Sequence, residues 1–412
     1  MQRQKILLML IILLLGVVFS REPRLQRTEE IFLRWLIRNA EIRPPTTGSV
    51  PLTIVEIGGT TQQPSGATIN PTERFLLGSA SPNSPLELAL FIQALLDFHP
   101  TVVAFQPVLK WPERAKDEEQ ILVDQAMHVP KLLLAAELTT TPDLDAPVAE
   151  VSGFSQVTGK RGDLATFSGV GRQPGEDLRL ISTLGFVNSA KEIGDDFHVP
   201  LLFQYRGEVV PSFALQAAML WMKVTSSEVR IDIGSSISFP SGMQIPIRAD
   251  GTALINPNAA RTARRLSLSN LLLAAQQHDP QLDNLRDQIV LARRMTNPFG
   301  PPEIVAASIA TIQTNSFLRR VSWIFDCIVL AIVVALSGPL QRFSRIDLLL
   351  GAIAFSAAYC LVALALISRS YIWLPGFLPL GAVWAVVVFS LLLQKSRDSA
   401  RTVAVAAPPP VP

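Results

Sequence analysis

Three apolar runs crowd the C-terminal end of the chain, at 321–340, 348–367 and 372–393. Each approaches the roughly 20 residues that a helix needs to cross a hydrocarbon core about 30 Å thick. Lipid offers no water to backbone amides and carbonyls, so crossing runs of this kind fold as helices. The polar links QRFSRID and SRSY are short, which makes neighbouring spans antiparallel. A fourth, shorter run at 6–20 comes after Arg3 and Lys5. It reads as a signal or as an uncleaved anchor. The amphipathic stretch TEEIFLRWLIRNA comes next and extends a helix out of the bilayer, which favours the anchor.

Composition agrees with this distribution. Of 412 residues 49% are hydrophobic and 17% charged, too apolar for a single soluble globule. The excess lies in the runs, so a membrane protein with a large water-soluble portion is expected. The sequence divides into an anchor or signal (1–20), a juxtamembrane helix (21–45), a soluble domain (46–318), three spans (321–340, 348–367, 372–393) and a short, disordered tail (394–412).

Orientation is set by the N-terminus. Arg342, Arg345, Lys395, Arg397 and Arg401 on one side nearly balance Arg21, Arg24, Arg27, Arg319, Arg320 and Arg369 on the other. Flanking charge therefore discriminates little. A basic start before a short apolar core retains the N-terminus and exports the large domain after it. The expectation is a multi-pass protein of a bacterial cell membrane, its large domain extracytoplasmic and both termini cytoplasmic.

A net charge of +2 gives no electrostatic case for nucleic acid. Both cysteines, Cys327 and Cys360, lie in apolar runs, so the soluble domain has neither a disulfide framework nor cysteine ligands for zinc.

Within that domain LTIVEI (52–57), VVAF (102–105) and KLLLAAEL (131–138) are continuous apolar strands. Helices separate them: one capped by Ser84 with Pro85 in its first turn, and a charged one at 117–127. Leu88, Phe91, Ile92, Leu95 and Leu96 recur at helical spacing on the first. Strands without polar alternation, joined by helices, predict an α/β fold with a mainly parallel sheet buried on both faces. LGFV (184–187) and LLFQY (201–205) read as strands paired across IGDDFHVP. PSFALQAAMLWMKV reads as a buried helix opened by Pro211, 269–276 as a helix, DQIVLARR as a strand and PPEIVAASIATIQTNSFLRR as a last helix leading towards the membrane.

No catalytic constellation emerges. His99, His128, His198 and His278 are not at metal-ligand spacing. GDDFH brings Asp195, Asp196 and His198 within four positions, a candidate site for a cation or small ligand whose plainer alternative is a solvated turn. FSGVGR lacks the spacing and succeeding helix of a phosphate cradle, and no serine sits in a nucleophile elbow. Glu118 and Glu119 read as solvated, and Asp326 lies near the end of a span, where interfacial hydration or pairing with Arg319 or Arg320 accounts for it. No catalytic residue, metal or cofactor is assigned.

SPLELALFIQALLDFHPTVVAFQPV, PLLFQYRGEVVPSFALQAAMLW, DQIVLARR and PPEIVAASIATIQTNSFLRR, in that order between an N-terminal anchor and C-terminal spans, resemble the CHASE type-two domain. This is a sensory extracellular module of cyclases and histidine kinases. The resemblance covers about 50–318. Gln106 stands where the family usually has an acidic residue. GDDFHVPLL lacks the Asp-Gly turn and arginine usual before the PL strand, and Val305 stands where a histidine is common. No cyclase, kinase or phosphodiesterase segment comes after the last run, so the resemblance implies a sensor whose output passes to a separate membrane-associated kinase or cyclase. Its stimulus is expected to be a small molecule or an extracytoplasmic protein. A structural or assembly factor of the envelope is the alternative, and an extracytoplasmic enzyme a third reading.

Overall fold

The computed structural model describes residues 23–42, 50–57, 84–141, 151–188, 197–294, 302–340 and 344–406. The chain divides into two units: Pro44–Phe317, and a discontinuous one made of Met1–Arg43 with Leu318–Pro412. The second begins with helix α1 (Pro23–Asn39). The expected anchor at 1–20 lies outside the described residues.

The continuous unit is built on six strands: β1 (Leu52–Glu56), β2 (Val102–Phe105), β3 (Leu132–Ala136), β4 (Thr183–Phe186), β7 (Arg264–Ser267) and β8 (Ile289–Arg293). Between β4 and β7 in the chain lie β5 (His198–Pro200) and β6 (Thr252–Leu254), which pair with each other. The six form one sheet in the order β7-β1-β8-β2-β3-β4, and every pairing is parallel. Parallel strands need long crossovers, and helices supply several of them: α2 (Pro85–Leu96), α3 (Lys116–Ala126), α4 (Glu176–Leu180) and α6 (Leu268–Gln276).

Both faces of the sheet are covered. Val55, Val103, Leu134, Val290 and Ala292 pack with Phe91, Ile92 and Leu95 of α2, Leu122 of α3 and Leu271 of α6. Ile54, Ala104, Leu133 and Leu291 pack on the other side with Phe213, Ala214 and Ala217 of α5 (Phe213–Met222) and Ile309 and Ala310 of α7 (Pro302–Thr314). This double burial is why the strands read as unbroken apolar runs. The rings of Phe91 and Phe105 meet edge-to-face at 5.6 Å. Ser84 caps α2, its side chain accepting from Leu86 N, as the sequence predicts.

Two local expectations are corrected, and one element is added. The 202–205 strand pairs antiparallel with Glu208–Pro211 and parallel with Thr166–Phe167, not with β4. Its two-residue turn, Arg206-Gly207, has both residues at positive φ, which closes a hairpin and takes the strand away from the main sheet. Pro211 ends that hairpin, and Ser212 rather than Pro211 caps α5. Arg264–Ser267, to which the sequence reading assigns no element, is the edge strand β7. Its polar side chains are those of a strand with one neighbour.

In the discontinuous unit, helices α8 (Trp323–Leu340), α9 (Arg345–Ser370) and α10 (Phe377–Ala406) coincide broadly with the expected spans. Among the described residues one helix, α9, is long and apolar enough to cross a membrane, and Phe377–Leu392 is a shorter apolar helix. The third run begins differently from its expectation. Ile372–Trp373 is a short strand paired with Arg319–Arg320, and α10 starts only at Phe377. The helix also continues through Lys395 and Arg397 to Ala406, into the stretch expected to be a disordered tail.

Glu29 of α1 fixes the start of α10. Its carboxylate accepts from the amides of Gly376, Phe377 and Leu378 at 2.8, 2.9 and 3.3 Å, N–H groups that a helix start leaves without partners. Burial pushes the Glu29 carboxyl above its usual range, against the lowering effect of these amides and of Arg320.

Packing and burial each give a measurable outcome. A Cβ on Gly185 of β4 meets the Phe213 Cα at 2.9 Å, where the start of α5 crosses the strand. Gly185→Ala is expected to lower stability by about 1–3 kcal/mol, read as a reduced denaturant midpoint. Because the folded-state carboxyl of Glu29 takes up its proton more readily than the unfolded one, its contribution is greatest below pH 4.5 and is lost as pH rises through the raised value. Glu29→Gln should flatten that part of the stability–pH profile in detergent.

Candidate functional site

In a sheet buried on both faces, polar chemistry is confined to strand ends, and open α/β sheets hold ligands at the carboxyl end. Here three neighbouring strands finish on polar residues. Glu56 ends β1, Arg293 ends β8 and Gln106 comes directly after β2. Glu56 is the register partner of Arg293. Phe105 is the partner of Ala292, which puts Gln106 level with Arg293, and the backbone N–H of Gln106 donates to Ala292 O at 3.0 Å. The three thus form a row across adjacent strands about 4.8 Å apart. Side chains alternate along a strand, and Leu291 faces α5 and α7. The row therefore belongs to the α7 face.

Arg293 is 1% exposed and bridges two elements. Its Nη2 donates to Glu56 Oε1 at 2.8 Å, and its Nη1 to Glu303 Oε1, in the first turn of α7, at 3.2 Å. Glu56 is 30% exposed and Glu303 58%. Arg293 Nε and both polar atoms of the Gln106 amide are buried without a hydrogen-bond partner among the described residues. Leaving such an amide unsatisfied costs about 1–3 kcal/mol. Next to the row, burial lowers the pKa of Arg294 from its ordinary value, while Glu87 of α2 opposes that shift.

Local sequence explains the placement. The apolar runs LTIV and IVLA are buried along their whole length and each ends on one ionisable residue. Pro302 opens α7 at the same end of the sheet, so the N–H groups of that helix start lie near Glu303. The N-terminal direction of α7 is further fixed by Gln313, near its other end, whose side-chain amide donates to Pro51 O before β1.

The sequence-predicted residues are only partly placed. Asp195 and Asp196 lie outside the described residues. His198 begins β5 and is the register partner of Leu254. Phe197 beside it packs with Ile304 of α7 against Val199, Ile255 and Ala307. The GDDFH segment therefore ends against the first turn of α7, where Ile304 adjoins Glu303. Among the described residues no group of three or more His, Cys, Asp or Glu is placed to hold a metal ion. Glu118, expected to be solvated, accepts from Ser84 Oγ at 2.6 Å. Glu119 has its carboxyl raised by burial and by Asp177, with Lys116 opposing.

Sequence reasoning passes over Glu56, Arg293 and Glu303. The signal for the first two is the single charged residue closing each apolar strand. A separate concavity of about 640 Å³ is lined by Arg179, Gln216 and Thr225 together with Leu184 and Leu220. It lies by the start of β4 and the end of α5, at the opposite end of the sheet.

A family model described as the CHASE2 domain matches residues 7–293. No match was found to a curated protein or to a solved structure.

The unsatisfied amide makes a prediction about stability. Gln106→Leu removes two unpartnered polar atoms at nearly constant shape. It is expected to raise stability by about 1 kcal/mol, measured as an increased denaturant midpoint of the full chain.

Proposed function

The chain belongs to the CHASE2 family of extracellular sensory domains, and we propose on that footing that Pro44–Phe317 is the receptor portion of a membrane-bound sensor. The anchor at 1–20 and the helices α8, α9 and α10 hold it in a bacterial cell membrane, with both chain ends cytoplasmic. The receptor portion faces outward. The observation that carries the reading is the pair of hydrogen bonds that Arg293 donates. One buried guanidinium ties the carboxyl edge of the sheet, through Glu56, to the start of α7, through Glu303.

That geometry suits a receptor. Helix α7 runs the length of the sheet and leads to Phe317, buried with Ile312 in a third apolar cluster. The chain then passes at once into Arg319–Arg320 and α8. Whatever rearranges the carboxyl edge changes the footing of the helix that precedes the membrane segment. A ligand biases such an element only through its different affinity for two arrangements, and a buried charge pair provides a large difference. The output is taken up by a separate membrane-associated kinase or cyclase that meets the helices α8 to α10.

Orientation is the direct test. With Cys327 and Cys360 replaced, a cysteine at Leu180, which is 79% exposed, should react with a membrane-impermeant maleimide in intact cells. A cysteine at Ala400 should react only after lysis. Protection of the Leu180→Cys variant in intact cells overturns the receptor reading.

A further inference from the structure

We propose that the carboxyl-edge row binds a small monocarboxylate carrying an adjacent hydroxyl or ammonium group, in the place that Glu303 holds, so that α7 carries an internal competitor for the ligand. This rests on the receptor reading above. The two acids on Arg293 are not equivalent. Glu56 belongs to a strand paired on both sides, and it is the less exposed of the two. Glu303 belongs to the first turn of a helix, makes the longer bond and is more than half exposed. Glu303 is therefore the partner that leaves without unpairing a strand.

Its departure frees a donor on Arg293 Nη1, while Nε, on the other edge of the guanidinium, already lacks a partner. A buried guanidinium left with open donors demands an anion, and a carboxylate can put one oxygen on Nη1 and leave the other for Gln106. Charge decides between anions. A monocarboxylate replaces Glu303 one charge for one, whereas a phosphate dianion adds negative charge beside Glu56. Gln106 specifies the rest. In the same row its Nε2 is an open donor for the carboxylate and its Oε1 an open acceptor. A hydroxyl or ammonium next to the carboxylate satisfies that acceptor. The peptide N–H groups at the start of α7 favour the same charge.

The test uses the full chain in detergent micelles, with lactate, alanine, propionate, lactamide and inorganic phosphate as probes in calorimetry. Lactate or alanine should bind, propionate more weakly, and lactamide and phosphate not measurably. Glu303→Gln should tighten lactate or alanine binding about tenfold, because a competing charged hydrogen bond is removed. Gln106→Leu should erase the preference for lactate over propionate. Unchanged or weaker binding in Glu303→Gln overturns the proposal. So does equal binding of lactamide, binding of no carboxylate by either form, or hydrogen-exchange protection by lactate around Arg179 instead of the row.

Exchange of Glu303→Gln without any probe separates the two readings. Faster exchange in the first turn of α7 supports the relay. If α7 loosens while no carboxylate binds, the ligand class fails and the receptor reading stands. If carboxylates bind while α7 never responds, the relay fails and the site stands.

Discussion

A parallel sheet covered on both faces has nowhere to place polar chemistry except its two ends, and the rest of the continuous unit obeys that constraint. The strands β1, β2, β3 and β8 are buried along essentially their whole length, and helices on either side take up every apolar face. Each crossover returns the chain to the amino end, so each strand terminates at the same carboxyl edge. The row of Glu56, Arg293 and Gln106 is the product of that geometry rather than of any local motif. Its members are far apart in sequence and become neighbours only because β8, one of the last elements of the domain, inserts between β1 and β2.

Stability does not explain the contents of the row. Taking a guanidinium out of water costs several kcal/mol, and its partners recover that cost only when geometry and hydrogen bonding are complete. Here they are incomplete, since Arg293 Nε is open and one of its two acids is largely solvated. Gln106 deepens the deficit with an amide satisfied on neither side. Elsewhere among the described residues such open atoms come one to a side chain, at Arg179 Nε, Asn256 Nδ2 and Gln313 Oε1, while the Thr311 hydroxyl bonds Asn256 O and Ala307 O and that of Ser308 bonds Ile304 O. Two adjacent violations of hydrogen-bond accounting at the carboxyl edge mark a place where something other than packing has set the residues.

The sheet is legible in the sequence because double burial turns each strand into an unbroken apolar word between helices of matching period. Ser84-Pro85 and the α2 periodicity are legible for the same local reason. The elements that escape are non-local. Arg264–Ser267 carries no apolar signal, since an edge strand needs partners on only one side, and its sequence merges with the helix after it. The 202–205 strand has the expected character but the wrong expected partner, because the Arg206-Gly207 turn offers it a nearer one. The site is legible only in fragments. His198 stands out as an imidazole near two carboxylates, yet the neighbouring Phe197 is the residue that packs against α7. Glu56 and Arg293 are separated by most of the domain, and no spacing rule connects them. The three apolar runs are helices, as their length predicts. Run length alone starts the last one at Ile372, whereas the Glu29 carboxylate defines its helix at Phe377.

Helix α7 is anchored at both of its ends. At its start, Glu303 is held by a buried charge and Ile304 packs against the β5–β6 pair. Near its finish, Ile312 sits in the cluster that includes Phe317, Leu215 and Met219. The side of the helix between them lies on the sheet through Ala306, Ile309 and Ala310. The continuous unit ends at Phe317. Arg319 and Arg320 are fixed as a strand to Ile372 and Trp373, with the Arg320 guanidinium over the Trp373 ring at 5.7 Å, and α8 begins at Trp323.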